Sequence, residues 1–430
     1  MIDIKKIISG EKFDQEYISW IAKKIWEEKT KEVLKKLEEV YKKSIKISAD
    51  LDEKRARQNF LAKKIPSATE DEKKNFFVEM WEIKKFLKEN SESEKIFKDE
   101  YKKILASIPN SAHPSVIKWE TEDDNAVIRK FWEKPVFNFE PKAHRDLWEE
   151  LDLIDSPRWA KVAWARFHFL KNELVQLQFA LVQYAFSITT KHWFSPMIPP
   201  FMVNEKTAFW TWYLDWGHSE EIYNVNPDRD NLYMIWTSEI PNTAYYQDEI
   251  LAEEDLPIKF ISYSPCFRRE AWSWWKDERW ILRCHQFDKM ELAVFANPKN
   301  SYEELEKLRE IEEEIYQWLW LHYQLIDICS ADLWTQAAKK YDIEAWMPGQ
   351  DAYREITSTS NCTDYQARRL NIRMKNEEWK NETLHTLNWT AIAVWRVLIA
   401  IMEQYQTKDW EILMPEVLKK FLPFEKICRK

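Results

Sequence analysis

The sequence predicts an α+β protein: a mostly antiparallel β-sheet flanked by helices, preceded by a long α-helical hairpin. Three observations carry that expectation. Residues 23–62 and 71–107 are rich in Lys and Glu, repeat apolar residues at helical spacing and contain no proline. Beyond residue 190, short strand-like runs alternate with turn signals and helical segments, as hairpins interleaved with helices do. Phosphate-binding loops of the P-loop or GxGxxG type, which mark parallel α/β folds, are missing.

The elements follow in order. The first helix carries Ile25, Val33, Leu34, Leu37, Val40 and Tyr41 as its stripe, the second Phe76, Phe77, Met80, Ile83, Phe86 and Leu87. Between them KKIPSATEDEKK, with Pro66 and Ser67, reads as a tight connection. The two therefore form an antiparallel hairpin, a coiled-coil arm for which RNA and protein are equally plausible partners. Residues 21–110 carry 23 Lys and Arg against 18 Asp and Glu, and the remaining chain 41 against 55. An acidic body with a basic arm suits a polyanion held by the arm, and solvated helix faces would look similar.

From Pro109 the composition changes, dividing the chain into 1–108 and 109–430. HPSVIKW and KPVFNFEPK read as extended, proline-punctuated segments, and a helix is expected over 169–186. After MIPPFMV come the strand-like NLYMIW, IKFISYSPCFRRE and ILRCHQFDKMELAVF. A helix over 302–322, further strands and an amphipathic helix over 391–405 complete the chain.

Composition excludes several classes. With 430 residues, 45% of them hydrophobic and 32% charged, the chain has the balance of a globular protein. No eighteen apolar residues run without charge, so a membrane helix is not expected, and MIDIKKIISGEKFDQEY lacks the apolar core of a secretory signal. The five cysteines form no CxxC pair, which argues against a disulfide scaffold or structural zinc and for a reducing cytoplasm.

Glycine and tryptophan are anomalous. The chain has 3 glycines and 25 tryptophans, where average usage implies about thirty glycines. Glycine reaches positive φ without a Cβ clash, and a large mixed fold needs it at turns. Trp272, Trp274, Trp275 and Trp280 lie among charges with no periodicity, and Trp389 follows Asn388 where a turn is expected. Most of these positions are therefore expected to be glycine in the living protein, through a UGA codon that its source reads as glycine.

Chemistry concentrates in three stretches. Phe267-Arg268-Arg269-Glu270, read as a strand, puts Arg268 and Glu270 on one face, and in the strand after His285 residues Phe287, Lys289 and Glu291 share a face. A cation, an aromatic ring and carboxylates together suit a nucleotide; a solvated hairpin with chance alternation would show the same pattern. Glu355-Ile356-Thr357-Ser358 offers a carboxylate for Mg²⁺, which uses one or two carboxylates plus substrate phosphates. Arg396, on the first turns of the last large helix, could meet a triphosphate or form a helix-surface ion pair. Thr237-Ser238-Glu239, ending a strand before Pro241, reads as an N-cap or a small polar pocket.

Taken together these segments resemble the seryl-tRNA synthetases, class II enzymes with three motifs on an antiparallel sheet, over nearly the whole chain. HWFSPMIPPFMV resembles motif 1, its proline at Pro199 or Pro200, which implies a homodimer interface. FISYSPCFRREAWSWWKDERWILRCHQFDKMEL resembles motif 2 and LNWTAIAVWRVLIAIMEQYQ motif 3, and YDIEAWMPGQDAYREITSTSNCTDYQARR also follows the family. Where the family has glycine, this chain has Trp119, Trp132, Trp148, Trp159, Trp164, Trp210, Trp212, Trp236, Trp272, Trp275, Trp280, Trp389 and Trp395; at Trp346 the family also has tryptophan.

The resemblance implies a serine–tRNA ligase using ATP, L-serine and tRNA(Ser), with tRNA(Sec) open as a second acceptor. It implies that Thr237, Ser238 and Glu239 hold the serine amino group, and that Glu291, Asn388 and Thr390 recognise its side chain. Arg268 would bridge the serine carboxylate and α-phosphate, with Arg269 and Glu270 beside the nucleotide. Phe287 would stack adenine next to Cys284, with Arg396 reaching the γ-phosphate. Glu355 would hold Mg²⁺, with Ile356, Thr357 and Ser358 adjoining. The hairpin is similar to the arm that grips the long variable arm of tRNA(Ser). A catalytically inactive paralogue, the alternative, would be expected to lack Arg268, Glu291, Glu355 or Arg396; all four are present.

Overall fold

A computed structural model of the chain describes residues 8–9, 12–13, 19, 21–24, 27–118, 121–163, 166–214, 219–270 and 282–429. It divides into two compact units, Met1–Pro109 and Asn110–Lys430.

In the first unit, helices α1 (Glu27–Lys64) and α2 (Glu70–Ser107) lie antiparallel, joined by one 3₁₀ turn over Ile65–Ser67. Thr69 and Glu72 form a capping box at the start of α2, each side chain taking the other's backbone N–H. Leu34, Leu37, Val40, Leu51, Leu61 and Ile83 are buried between the helices. Ser48 donates to Glu94 at 2.9 Å, Arg57 forks Glu79 at 2.7 and 3.0 Å, and Tyr41 packs on Tyr101 at 5.3 Å. Phe77 departs from the expected stripe: it is 57% exposed, whereas Ile83 points inward.

The second unit is built on an eight-stranded sheet. In chain order its elements are β1 (Ala126–Phe131), α3 (Asn172–Thr189), β2 (Ser195–Met197), α4 (Glu239–Thr243), β3 (Ile258–Phe267) and β4 (Gln286–Ala296). These are followed by α5 (Ser301–Trp318), β5 (Tyr323–Asp327), β6 (Lys339–Met347), β7 (Ala352–Asn361), β8 (His385–Ala393) and α6 (Val394–Gln404). The strand order is β1-β5-β6-β7-β8-β4-β3-β2, antiparallel except for β2 beside β3. Helices α3, α5 and α6 pack on one face, burying Met290, Leu292 and Val294 of β4 with Leu177, Leu181, Ile315, Leu398 and Ile401.

Several sequence expectations shift. Helix α3 begins and ends three residues later than expected, and β1 has no counterpart among the expected elements. The expected helix over 302–322 stops at Trp318, because Trp320 turns the chain at φ 52°. Residues 391–393 belong to β8, and the last helix begins at Val394. Trp389 lies inside β8 rather than in a turn, fully buried, its indole N–H donating to the Thr357 hydroxyl at 3.0 Å.

Candidate active site

The sheet face opposite the helices carries a cavity of about 400 Å³. It is lined by Thr237, Glu239, Arg268, Glu270, Cys284, Phe287, Glu291, Glu355, Ile356, Thr357, Ser358, Asn388, Thr390 and Arg396. Two of the expected residues stand apart. Arg269 is exposed and absent from the lining, its N–H bound to the Glu221 carbonyl. Ser238 is buried beneath the wall, accepting from Ser262 at 3.1 Å.

Strand β3 ends at Phe267, so Arg268 and Glu270 are not held by strand alternation as expected; Glu270 sits at φ 49°. The Arg268 backbone is fixed instead by two bonds to His285: the Arg268 N–H donates to the His285 carbonyl at 2.9 Å, and the His285 imidazole Nδ1 lies 3.0 Å from the Arg268 carbonyl. The Arg268 guanidinium lies 3.4 Å over the Trp236 ring and 4.9 Å from Phe287. Burial draws its pKa below the ordinary arginine value, against the pull of Glu270.

Thr237-Ser238-Glu239 also differs from expectation. The strand-like run ends at Met234, and Glu239 starts the short helix α4, which contains Pro241. Ser238 makes no side-chain cap, and the Glu239 N–H donates to Thr237 Oγ1 at 3.3 Å. The Glu239 carboxylate accepts from Tyr213 and from Gln366, both at 2.6 Å. Burial, together with the nearby Glu291, holds it above the usual carboxylate range.

Two bulges aim the opposite wall. Between β4 and β8 the pairing shifts between Met290/Ile392 and Glu291/Thr390, leaving Ala391 without an opposite residue. Asn388, Thr390 and Ala393, which strict alternation would split between faces, all line the cavity. Thr390 Oγ1 donates to Glu291 at 3.2 Å. Between β6 and β7 the shift falls at Ile356. Glu355 and Ser358, three residues apart, therefore share the cavity, while the Thr357 and Thr359 hydroxyls donate to Glu312 on α5, both at 2.7 Å. Arg396, in the first turn of α6, donates to the Glu355 carbonyl at 2.7 Å and lies 3.2 Å from its carboxylate. Burial works against ionising Glu355, but Arg396 and Lys340 outweigh it and hold its carboxyl below the usual range.

The cavity also gathers residues outside the expected set, among them Tyr213, Glu221, Arg283, Lys289, Trp334 and Gln336. Lys289 was readable from its alternation with Phe287 and Glu291; Tyr213 and Gln336 arrive from segments without any motif. Cys284 is buried against His168, whose Nε2 lies 3.1 Å from its sulfur. Burial raises the thiol pKa and lowers that of His168 to about 4. Among the described residues no group of three or more His, Cys, Asp or Glu could hold a metal by itself.

Six described tryptophans, Trp132, Trp193, Trp212, Trp320, Trp379 and Trp410, lie at φ between 52° and 88°, the left-handed region natural to glycine. Trp193 and Trp379 are 88% and 80% exposed. Of the positions where glycine was expected, Trp132 and Trp212 have this backbone; Trp148, Trp159, Trp210, Trp236, Trp389 and Trp395 do not. Trp119, Trp164, Trp272, Trp274, Trp275 and Trp280 lie outside the described residues. Trp236 and Trp395 fill part of the cavity wall.

Comparison with known proteins converges on one family. Residues 1–112 match the seryl-tRNA synthetase N-terminal domain, and residues 223–405 the class II tRNA synthetase core domain for G, H, P, S and T. A serine–tRNA ligase of Campylobacter jejuni subsp. jejuni is 41% identical over 422 residues, 98% of this chain and all of the relative. The structure of a Pyrococcus horikoshii seryl-tRNA synthetase complexed with ATP is 35% identical with a TM-score of 0.90, both chains being covered in full. A cytoplasmic serine–tRNA ligase from Naegleria fowleri in complex with AMP is 30% identical with a TM-score of 0.84, over 100% of this chain and 99% of that one.

Proposed function

We infer the function from the premise that this chain belongs to the seryl-tRNA synthetases of class II: it activates L-serine with ATP and transfers it to tRNA(Ser). The carrying observation is the convergence of Arg268, Arg396, Glu355, Glu239 and Glu291 on one cavity.

The serine carboxylate attacks the α-phosphorus of ATP in line; a carboxylate–phosphorus bond forms, the bond to the β-phosphate oxygen breaks, and pyrophosphate leaves. The terminal ribose hydroxyl of the tRNA then attacks the acyl carbon; the ester bond forms, the bond from that carbon to the phosphate oxygen breaks, and AMP leaves as the hydroxyl proton passes to the departing phosphate or to water. The first step needs no protein base, because the nucleophile is already ionised. The residues act by positioning and charge. Arg268 spans the serine carboxylate and α-phosphate, Phe287 stacks the adenine beside Cys284, and Arg396 meets the γ-phosphate from the other side. Glu239 takes the serine ammonium with Thr237, while Glu291 and Thr390 hydrogen-bond its hydroxyl. Alanine would leave that pair unsatisfied, a heavily penalised outcome.

Mg²⁺ enters with ATP. The residues fit it: Glu355 offers one carboxylate and Ser358 a hydroxyl on the same wall, as suits an ion that keeps phosphates and waters as its other ligands. When bound it would neutralise charge on the phosphates.

The proposal extends to the assembly. The arm at 1–108 reads the tRNA largely through backbone and shape, and tRNA(Sec) is a second acceptor to assay. A homodimer is supported by the exposed apolar side chains that follow edge strand β2, Ile198, Phe201 and Met202. A cytoplasmic location is supported by five free cysteines. Most tryptophans other than Trp346 are glycine in the native protein, a reading supported by the six positive φ angles. Peptide mass spectrometry on native material should give glycine masses at Trp132 and Trp212; tryptophan masses there overturn this point. The catalytic reading is tested by serine-dependent ATP–pyrophosphate exchange on glycine-restored protein, where lack of exchange refutes it.

A further inference from the structure

We propose that Lys289 sets the charge selectivity of the amino-acid end of the cavity, cancelling Glu291 so that the fitting substrate carries one ammonium and an uncharged side chain. The inference rests on the function proposed above and assigns a role to a side chain outside that reading.

Lys289 lies in the middle of the sheet, opposite Ser264 on β3 and Ala393 on β8. It is 7% exposed, and its ammonium forms an ion pair with Glu291, two residues along the same strand face. A lysine buried this deeply needs such a partner, since removing an ion from water is costly. Glu291 is 3% exposed and also accepts from Thr390 at 3.2 Å. The second acid is Glu239, 5% exposed, which accepts from Tyr213 and Gln366 and is pushed up by burial and by Glu291.

With the Arg268 guanidinium matched to the substrate carboxylate, this end of the cavity otherwise holds two carboxylates and one ammonium, a balance of one negative charge. One substrate ammonium neutralises it. A hydroxyl adds a hydrogen bond without adding charge, so serine leaves the pocket balanced. A substrate whose hydroxyl is replaced by an ammonium brings a second positive charge beside Lys289 in surroundings that screen it poorly. Without Lys289, Glu291 becomes an uncompensated carboxylate that would accept that ammonium and repel Glu239. The same change favours the wrong substrate and disfavours the right one.

The test compares L-serine with L-2,3-diaminopropionate in ATP–pyrophosphate exchange at pH about 6, below the ordinary range of amines, using the full-length glycine-restored chain. The parent should exchange with serine and negligibly with the diamino acid. In K289M, kcat/KM for serine should fall at least tenfold while the diamino acid becomes a substrate, so that the preference for serine drops at least 100-fold. K289R should restore the parent's preference. K289Q carries the same comparison if circular dichroism shows K289M unfolded. A preference left unchanged in K289M and K289Q, with both activities falling together, would mean a merely structural lysine and overturn this inference alone. Lack of serine exchange in the parent overturns the proposed function and this inference with it.

Discussion

Arg268 reaches the cavity although no strand holds it, its backbone anchored by the carbonyl and imidazole of His285 and its guanidinium close to the Trp236 and Phe287 rings. Its pKa is lowered by burial, yet arginine stays charged at any working pH. Arg268→Ala should therefore lower serine-dependent pyrophosphate exchange by roughly 10²–10³, the usual effect of removing one group that stabilises transition-state charge; near-normal exchange would remove Arg268 from the mechanism. Glu312 works on the other side of the sheet. It is fully buried, and burial pushes its carboxyl well above the ordinary range, outweighing the hydroxyls of Thr359 and Thr357 that donate to it. An acid whose folded pKa is raised binds its proton more tightly in the native state. Its contribution to stability is full below the unfolded value, about 4.3, and is lost as pH rises through the folded value. Melting temperature should thus fall less between pH 5 and 8 in Glu312→Gln than in the parent. Equal slopes would show that Glu312 is already ionised in the fold.

Strands β7 and β8 aim their functional groups through bulges, so the count of residues matters as much as their chemistry. Deleting Ile356 should regularise the β6–β7 pairing and separate Glu355 from Ser358. Exchange activity is expected to fall at least ~100-fold, as misplacement by about an ångström does, whereas Ile356→Val keeps the count and costs only about 0.5–1.5 kcal/mol of stability. If the deletion retains activity, the bulge does not position the wall. The hairpin behaves as a separate element. It carries its own buried stripe and capping box, so removing residues 30–100 should spare adenylate formation while reducing tRNA(Ser) charging at least tenfold. Charging that survives the deletion would show that another surface reads the tRNA.

For the molecule as a whole, tryptophan content bears on stability. Left-handed backbone costs ~1–2 kcal/mol for each non-glycine residue, so the six described tryptophans at positive φ together cost on the order of 6–12 kcal/mol. A folded domain has only ~5–15 kcal/mol in total. Placing glycine at these six positions should raise the melting temperature by well over 5 °C, since each 1 kcal/mol moves a domain of more than 150 residues by ~2–4 °C. An unchanged melting temperature in the six-fold variant would show that the indoles compensate through packing such as the stacking of Trp132 on Trp320 at 4.1 Å.

How much was legible follows from the range of the forces involved. The hairpin, the α+β class and the shared face of Phe287, Lys289 and Glu291 could be read directly, because helical and strand periodicities are local and repeat along the chain. Resemblance to the family's motifs also pointed to Glu355, Ser358, Asn388, Thr390 and Arg396 without saying how they meet. Tertiary structure decided the rest. Arg268 lies beyond the end of its strand, Ser238 lies under the wall, Arg269 turns outward, and Tyr213 and Gln336 enter the cavity from segments with no motif. Bulges at Ile356 and Ala391 depend on partner strands distant in sequence. Periodicity records which face a side chain prefers; only packing against remote partners fixes where the period breaks.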